Sequence, residues 1–251
     1  MNIIIDGKAC SAERGEFLLE IARRNDIYIP TLCHSDALPG LASCRLCIVE
    51  VLEGNRSKIV TSCIFPVSRE VEVITNSDKI KRMRKNIIML LQARCPENKE
   101  IAKLAKELDV EEKRVKRFKL NAEENCILCG LCAKACKELG TGAISTVDRG
   151  IFKEVATAYH EPSPDCIGCA SCANVCPTNA IKVIDKDGER EIWNKKFKMV
   201  KCDCCGEYFA TEEHIKYAYD KLGVEQPEKL LCNSCKRESA AKDIKDVFEN
   251  V

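Results

Sequence analysis

The fold is decided by a stretch of sequence that occurs twice, as CILCGLCAKAC at residues 126–136 and as CIGCASCANVC at residues 166–176. Both copies have the spacing Cys-x2-Cys-x2-Cys-x3-Cys, and an Ala-Ile pair follows each, at residues 143–144 and 180–181. A proline follows the second copy as Pro177, whereas Lys137 stands at the equivalent place in the first. The repetition indicates an internal duplication.

Thiols at this spacing predict two 4Fe-4S clusters. Three thiolates at intervals of three residues wrap a loop around one cubane, and the fourth is carried on the following helix to the other cluster, as in bacterial ferredoxins. Four zinc-binding pairs would not need the third cysteine of each run or the displaced fourth. Gly130 and Gly168 are expected to let the backbone curl close to inorganic sulfide. The first predicted set is Cys126, Cys129, Cys132 and Cys176, and the second is Cys136, Cys166, Cys169 and Cys172.

The composition supports metal ligation and disfavours other classes. The chain has 251 residues and 19 cysteines, and its opening resembles no secretory signal, so we expect a cytoplasmic protein in which disulfides are rare. The longest fully apolar run, residues 87–91, is too short to cross a bilayer. With 40 Lys and Arg against 39 Asp and Glu, a strongly basic nucleic-acid binder is disfavoured. Three histidines leave little room for histidine-based catalysis.

Residues 1 to about 76 have the element order of a β-grasp domain. Residues 3–5 followed by Asp6-Gly7 predict a first hairpin, and apolar residues at helical spacing predict a helix around 17–22. A second hairpin joins 48–52 to 58–61, and residues 71–74 alternate like a strand. Three thiols on one long loop and one at a strand end suit a 2Fe-2S cluster, with zinc as the alternative. This set is Cys33, Cys44, Cys47 and Cys63.

Residues 77 to 120 read as a helical connector. Ser77 is the expected N-cap of a helix over 77–91, and charged helices are expected between 99 and 119. A basic cluster on the first helix is predicted to form a solvent-exposed face of that helix: Lys79, Lys81, Arg82, Arg84 and Lys85.

The carboxy-terminal part contains two cysteine knuckles separated by 26 residues. Two Cys-x2-Cys pairs can close a tetrahedral thiolate site, which resembles a zinc ribbon and would hold together a segment with little core of its own. Zinc is favoured, and iron is the alternative, with Cys204 complicating the count. The predicted metal ligands are Cys202, Cys205, Cys232 and Cys235.

Residues 1 to about 190 resemble a known family of electron-transfer proteins. The ten-residue gap between Cys33 and Cys44 and the run from Cys176 to Ile181 are typical of the complex I 75-kDa-type subunit and of iron-only hydrogenases. The chain is similar to the small diaphorase-side subunit of NAD(P)-linked hydrogenases and to the front end of formate dehydrogenases. Many such relatives carry a further cluster on His-x3-Cys-x2-Cys-x5-Cys. This chain offers only Cys95 there, so that cluster is predicted to be missing and Cys95 to be a buried apolar residue.

The sequence therefore predicts an α+β chain of four parts: a 2Fe-2S β-grasp domain (1–76), a helical connector (77–120), a two-cluster 4Fe-4S domain (121–190) and a four-cysteine ribbon module (191–251). No dinucleotide fingerprint, P-loop or nucleophile elbow is present, so no catalytic residue is predicted.

The resemblance implies a subunit that relays single electrons between a flavin- and NAD(P)-binding subunit and a hydrogenase or formate dehydrogenase subunit, in a hetero-oligomer without membrane insertion or nucleic acid. Two alternatives stay open. One is an enzyme with an open iron coordination site, and the other is a redox-sensing regulator that uses the ribbon for partner or nucleic-acid contact.

Overall fold

The computed structural model describes residues 1–54, 56–110 and 125–249. These residues form two compact units. The amino-terminal unit comprises residues 1–135, 146–155 and 173–180, and the carboxy-terminal unit comprises residues 136–145, 156–172 and 181–251. No helix among the described residues is long and apolar enough to span a membrane.

The amino-terminal unit is built on a five-stranded mixed sheet. Its elements are β1 (Asn2–Ile5), β2 (Lys8–Ser11), α1 (Leu18–Arg24), β3 (Ile48–Glu53), β4 (Arg56–Thr61) and β5 (Glu72–Ile74), in the sheet order β2-β1-β5-β3-β4. Only the β1–β5 pair is parallel. Asp6 and Gly7 both have positive φ, as the tight turn between β1 and β2 requires. These are the elements, in the order, that the sequence predicts for a β-grasp domain.

One face of this sheet and helix α1 enclose the first apolar core. Alternate residues of the strands point to the same side, and Ile5, Val51 and Val73 are fully buried there. Leu18 and Ile21 from α1 cover them. The loop that connects α1 to β3 contributes Ile29, Ala42 and Cys47 to this core, so the packed scaffold holds these parts of the loop.

Two helices follow the sheet: α2 (Asp78–Arg94) and α3 (Lys99–Glu107). The Ser77 hydroxyl accepts a hydrogen bond from the Ile80 N–H, so Ser77 is the N-cap, as predicted, and Asn98 caps α3 in the same way. The remainder of the helices expected up to residue 119 lies outside the described residues.

A second apolar core joins these helices to the first duplicated motif. It contains Ile88 of α2, Ile101 of α3 and Leu131 of the motif, all at most 2% exposed. Cys95 is buried in the same core, as predicted. The first motif is therefore packed on apolar side chains.

The remaining elements begin within the duplicated motifs and continue to the end of the described chain. They are α4 (Leu131–Leu139), β6 (Ser145–Val147), β7 (Glu154–Ala156), α5 (Ser171–Asn174), β8 (Ile184–Lys186), β9 (Glu189–Ile192), β10 (Lys195–Lys201), β11 (Tyr208–Thr211), α6 (Glu212–Leu222) and α7 (Asn233–Glu249). Strands β8–β11 form an antiparallel sheet in the order β11-β10-β9-β8. Helix α6 packs on β10 and β11. The sequence did not predict this sheet.

Candidate iron–sulfur and metal sites

The four cysteines of the amino-terminal set lie where the loop from α1 meets the second hairpin. Pairing of β3 with β4 sets Ile48 opposite Thr61. This brings Cys47, directly before β3, close to Cys63, two residues after the end of β4. The sulfurs of Cys47 and Cys63 are 3.3 Å apart. The Cys44 N–H donates to the sulfur of Cys33 at 3.3 Å. All four cysteines of the set are at most 9% exposed.

Each pair of sulfurs perturbs the titration of its two thiols. A hydrogen bond from the Cys33 thiol lowers the pKa of Cys44 to about 6, and the same interaction raises that of Cys33. The hydrogen bond between the thiols of Cys47 and Cys63 lowers the pKa of Cys47 to about 7 and raises that of Cys63. Thiols this close share protons. A metal ion that binds them displaces these protons and is ligated by the deprotonated sulfurs.

A buried guanidinium supports the loop of this set. Arg84 on α2 is 1% exposed, and it donates to the carbonyls of Leu46 (3.0 Å) and Ile48 (2.7 Å), which flank Cys47. Burial lowers the pKa of Arg84 to about 10, and the Cys47 thiol opposes that change. The charge pattern of the sequence predicts that Arg84 lies on a solvated basic face. This was wrong, because the helical periodicity turns Arg84 inward with Ile80 and Ile88.

The first predicted 4Fe-4S set lies entirely within the amino-terminal unit. The pKa of Cys129 is raised to about 11, mainly by burial, and the nearby thiols of Cys176, Cys126 and Cys44 act in the same direction. Backbone N–H groups point at two of the sulfurs, from Leu128 to Cys126 at 3.4 Å and from Ala180 to Cys176 at 3.3 Å. The structure therefore places Cys176 of the second motif beside cysteines of the first.

The second predicted set lies entirely within the carboxy-terminal unit, where all four residues line one cavity. Burial raises the pKa of Cys172 to about 11, and the Cys169, Cys136 and Cys166 thiols act in the same direction. The Thr141 hydroxyl is 3.1 Å from the Cys136 sulfur. Cys136 of the first motif is thus beside three cysteines of the second.

The carboxy-terminal set forms a compact cluster of sulfurs. The thiols of Cys202, Cys205, Cys232 and Cys235 all lie within 4.8 Å of one another. Backbone hydrogen bonds, first from the Cys205 N–H and then from the Cys232 N–H, lower the pKa of Cys202 to about 6. Four converging thiols, one of them with a lowered pKa, are a donor set that fits a tetrahedral Zn²⁺ or iron ion. Cys204 is exposed beside the set.

Three further residues near the sulfurs were not predicted to matter. Besides Arg84, they are Trp193, whose indole N–H points at the Cys172 sulfur, and Lys195, which binds carbonyls of the loop before Cys169. The helical spacing that Arg84 shares with Ile80 and Ile88 is a local signal of burial, whereas the positions of Trp193 and Lys195 depend on tertiary packing and carry no local signal in the sequence.

Comparison with known families locates two domains. Residues 1–78 match the family described as "2Fe-2S iron-sulfur cluster binding domain", and residues 121–183 match the one described as "4Fe-4S dicluster domain". Neither match extends to the carboxy-terminal cysteine set.

Curated relatives match most of this chain. The chain is 33% identical over 211 residues to the NADP-reducing hydrogenase subunit HndD of Solidesulfovibrio fructosivorans. This alignment covers 72% of this chain and 36% of that protein. It is 28% identical over 230 residues to an NADH-quinone oxidoreductase subunit of Rhizobium meliloti (strain 1021), covering 82% of this chain and 27% of the relative. The chain thus spans about a third or less of these relatives.

A solved structure extends the resemblance to the fold. A chain of the crystal structure of NAD+-reducing [NiFe]-hydrogenase in the H2-reduced state is 26% identical, with a TM-score of 0.62. The alignment covers 71% of this chain and 85% of that one. The chain resembles a 75-kDa-type iron–sulfur subunit. The resemblance predicted from the sequence is confirmed, and the two domains identify a mixed α/β protein with 2Fe-2S and 4Fe-4S ferredoxin domains.

Proposed function

We propose that this chain is an electron-transfer subunit that holds one 2Fe-2S and two 4Fe-4S clusters and relays single electrons among them. The observation that carries the proposal is that thiols lie close together within each of three separate four-cysteine sets, in a chain that matches both iron–sulfur domain families. Bound clusters would supply one-electron redox chemistry, and the chain's own residues would hold the clusters and adjust their potentials.

The proposed ligands follow from which thiols lie together. Cys33, Cys44, Cys47 and Cys63 would hold the 2Fe-2S cluster. The crossed assignment of the other eight cysteines is supported by the division of the chain, since each set of four falls within one compact unit. Four thiolates for each cluster leave no iron coordination site open to a substrate, which favours a relay over an enzyme.

Two of the proposed clusters lie beside the same buried apolar core. Cys44 of the 2Fe-2S set and Cys129 of the first 4Fe-4S set belong to the same buried apolar core, and the Cys44 thiol contributes to the raised pKa of Cys129. Electron transfer between these clusters would therefore pass through packed protein in the amino-terminal unit.

The likeness to hydrogenase and NADH-quinone oxidoreductase subunits supports the proposed partners. We propose a hetero-oligomer in which a flavin- and NAD(P)-binding subunit lies at one end of the relay and a hydrogenase or formate dehydrogenase subunit at the other. The complex would act in the cytoplasm, and electron bifurcation is one reaction that such an arrangement can serve.

For the carboxy-terminal set we propose a structural zinc ion, with iron as the alternative. The sulfur cluster within 4.8 Å supports a closed four-thiolate site, and Zn²⁺ in such a site carries no electrons. We keep the four-part division at residues 76, 120 and 190 as part of this proposal.

Metal analysis of anaerobically purified protein tests the proposal. We expect about 10 iron and about 1 zinc per chain, from clusters of two, four and four irons and one structural ion. A content of about 11 iron per chain with no zinc would show that iron, and not zinc, occupies the carboxy-terminal site. A folded protein that binds about 1 zinc at each cysteine set, with no labile sulfide, would overturn the relay.

A further inference from the structure

The segment from Ile184 to Leu222, which we call the cap, lies outside both matched family regions. It contains strands β8–β11 and helix α6. The loop of residues 163–172, which carries Cys166, Cys169 and Cys172, belongs to the same compact unit. Side chains of the cap contact the backbone of this loop and one of its sulfurs.

Lys195 of the cap places a positive charge at the start of the loop. Its ammonium group donates to the carbonyls of Ser163 (3.1 Å), Pro164 (3.3 Å) and Cys166 (2.8 Å), and it lies 4.9 Å from the centre of the Phe197 ring. Within the described part of the chain it forms no ion pair. Neutral dipoles and a ring face therefore hold this charge in place, and no carboxylate of the described residues forms an ion pair with it.

Two further cap side chains hold the next carbonyls of the loop. Arg190 donates to the Gly168 carbonyl at 3.1 Å, and the Thr211 hydroxyl donates to the Ile167 carbonyl at 2.5 Å. Asp185 fixes the orientation of Arg190 through two hydrogen bonds of 2.8 and 2.6 Å. The loop backbone is thus held at consecutive residues by side chains of the cap.

The closeness of the two surfaces explains the glycine in this loop. Gly168 has φ +66°, and a Cβ placed on it would lie 2.8 Å from the Phe197 ring and 2.9 Å from the Thr211 methyl group. Contacts this short are not tolerated by real Cβ atoms. The cap therefore packs directly on the loop backbone, where it excludes water.

One cap residue reaches a sulfur. Trp193 lies in the two-residue turn between β9 and β10, where both Trp193 and Asn194 have positive φ. Its indole N–H points at the Cys172 sulfur over 3.5 Å. An N–H directed at a thiolate stabilises the negative charge on that sulfur.

We propose that the cap is a tuning element of the second 4Fe-4S site, in which Lys195 is a positioning residue that raises the reduction potential of that cluster and Trp193 adds to its effect. This inference rests on the proposed function. On reduction the cluster takes up one electron, and no bond is formed or broken, so its net charge becomes more negative by one. A fixed positive charge and an N–H donor stabilise the more negative state, and the potential rises as a result.

Redox titration of the full-length, cluster-loaded protein, followed by electron paramagnetic resonance (EPR), tests this assignment. For Lys195→Met we expect the second 4Fe-4S cluster to be about tenfold harder to reduce, which is a potential lower by about 59 mV for one electron. Trp193→Phe should lower the potential in the same direction by less. Lys195→Arg keeps the charge and should restore most of the potential. A Cys169→Ser variant identifies the signal of the second cluster, because it changes one of its ligands.

Lys196→Met is the matched control, since Lys196 is the next residue of the same strand and is exposed. It should leave all potentials unchanged. If Lys195→Met retains the cluster at the unmodified potential, or shifts both 4Fe-4S clusters equally, the inference is wrong. If Lys195→Met does not hold the cluster, Trp193→Phe decides, and an unchanged potential there overturns the inference. Absence of 4Fe-4S signals from the unmodified protein would instead overturn the proposed function.

Discussion

The two duplicated motifs have the same cysteine spacing, but their surroundings differ. The first motif packs on apolar side chains, with Ile127 and Leu131 in a core shared with α2 and α3. The loop of the second motif is held by cationic and polar side chains of the cap, Lys195, Arg190 and Thr211. The spacing therefore predicts the same kind of ligand set in both motifs, whereas the packing around the two loops is different.

Loss of one ligand from either motif should have the largest effect. Cys129→Ala and Cys169→Ala each remove a thiolate from a different proposed cluster, so each should lower the iron content from about 10 to about 6 per chain. Iron and sulfide analysis with EPR measures this loss. Cys10→Ala is the control, since Cys10 is buried but belongs to no proposed set, and it should keep all the iron. Loss of all iron from every variant would contradict two independent clusters.

The glycines of the two motifs, Gly130 after the second cysteine of the first and Gly168 before the second cysteine of the second, should respond differently to alanine. Both have positive φ, which costs an alanine about 1–2 kcal/mol. A Cβ at Gly130 meets only Leu41 at 3.6 Å, whereas at Gly168 it would overlap the cap. Overpacking adds about 1–3 kcal/mol.

Urea unfolding followed by circular dichroism should therefore show a larger loss of unfolding free energy for Gly168→Ala than for Gly130→Ala. The loss of unfolding free energy should appear in the urea transition in which the cap unfolds. Equal losses for the two variants would show that the cap does not press on the loop.

The sequence could predict which cysteines lie near one another but not the cap. Cysteine spacing is a local signal, and the hairpins of the amino-terminal sheet follow from alternating apolar residues and the Asp6-Gly7 turn. Strands β8 and β9 are short and rich in charged residues, so their periodicity is weak, although Asp187-Gly188 between them is a recognisable hairpin turn. The turn at Trp193 contains no glycine and gave no signal.

The roles of Arg84 and Lys195 also lay beyond sequence analysis. Both are basic residues in charged segments, where exposure is the usual outcome. Only the packed structure shows that their charges are held by backbone carbonyls beside the cysteines. Such contacts join residues far apart in sequence, and no local pattern records them, although the helical spacing of Arg84 from Ile80 and Ile88 indicates that its side chain is buried.

The smallest predicted effect is on pH dependence, and it should be confined to the carboxy-terminal unit. Burial lowers the pKa of His214 on α6, and the Arg190 charge acts in the same direction. Because the unfolded chain binds the proton more readily than the folded one, the cap should lose stability as the pH falls through about 6.5, the ordinary histidine value.

Hydrogen exchange of the α6 amides, corrected for intrinsic rates, should therefore show weaker protection at about pH 5.5 than at about pH 7.5. His214→Gln should remove this difference. The same loss of protection in the variant would assign the pH effect to another group.

The Mössbauer spectrum of the iron-57-loaded full-length chain tests the central claim most directly. We predict that about one fifth of the iron gives the signature of a 2Fe-2S cluster and about four fifths that of 4Fe-4S clusters, as expected for two irons beside eight. A spectrum made up only of isolated iron ions bound by four thiolates would contradict the account.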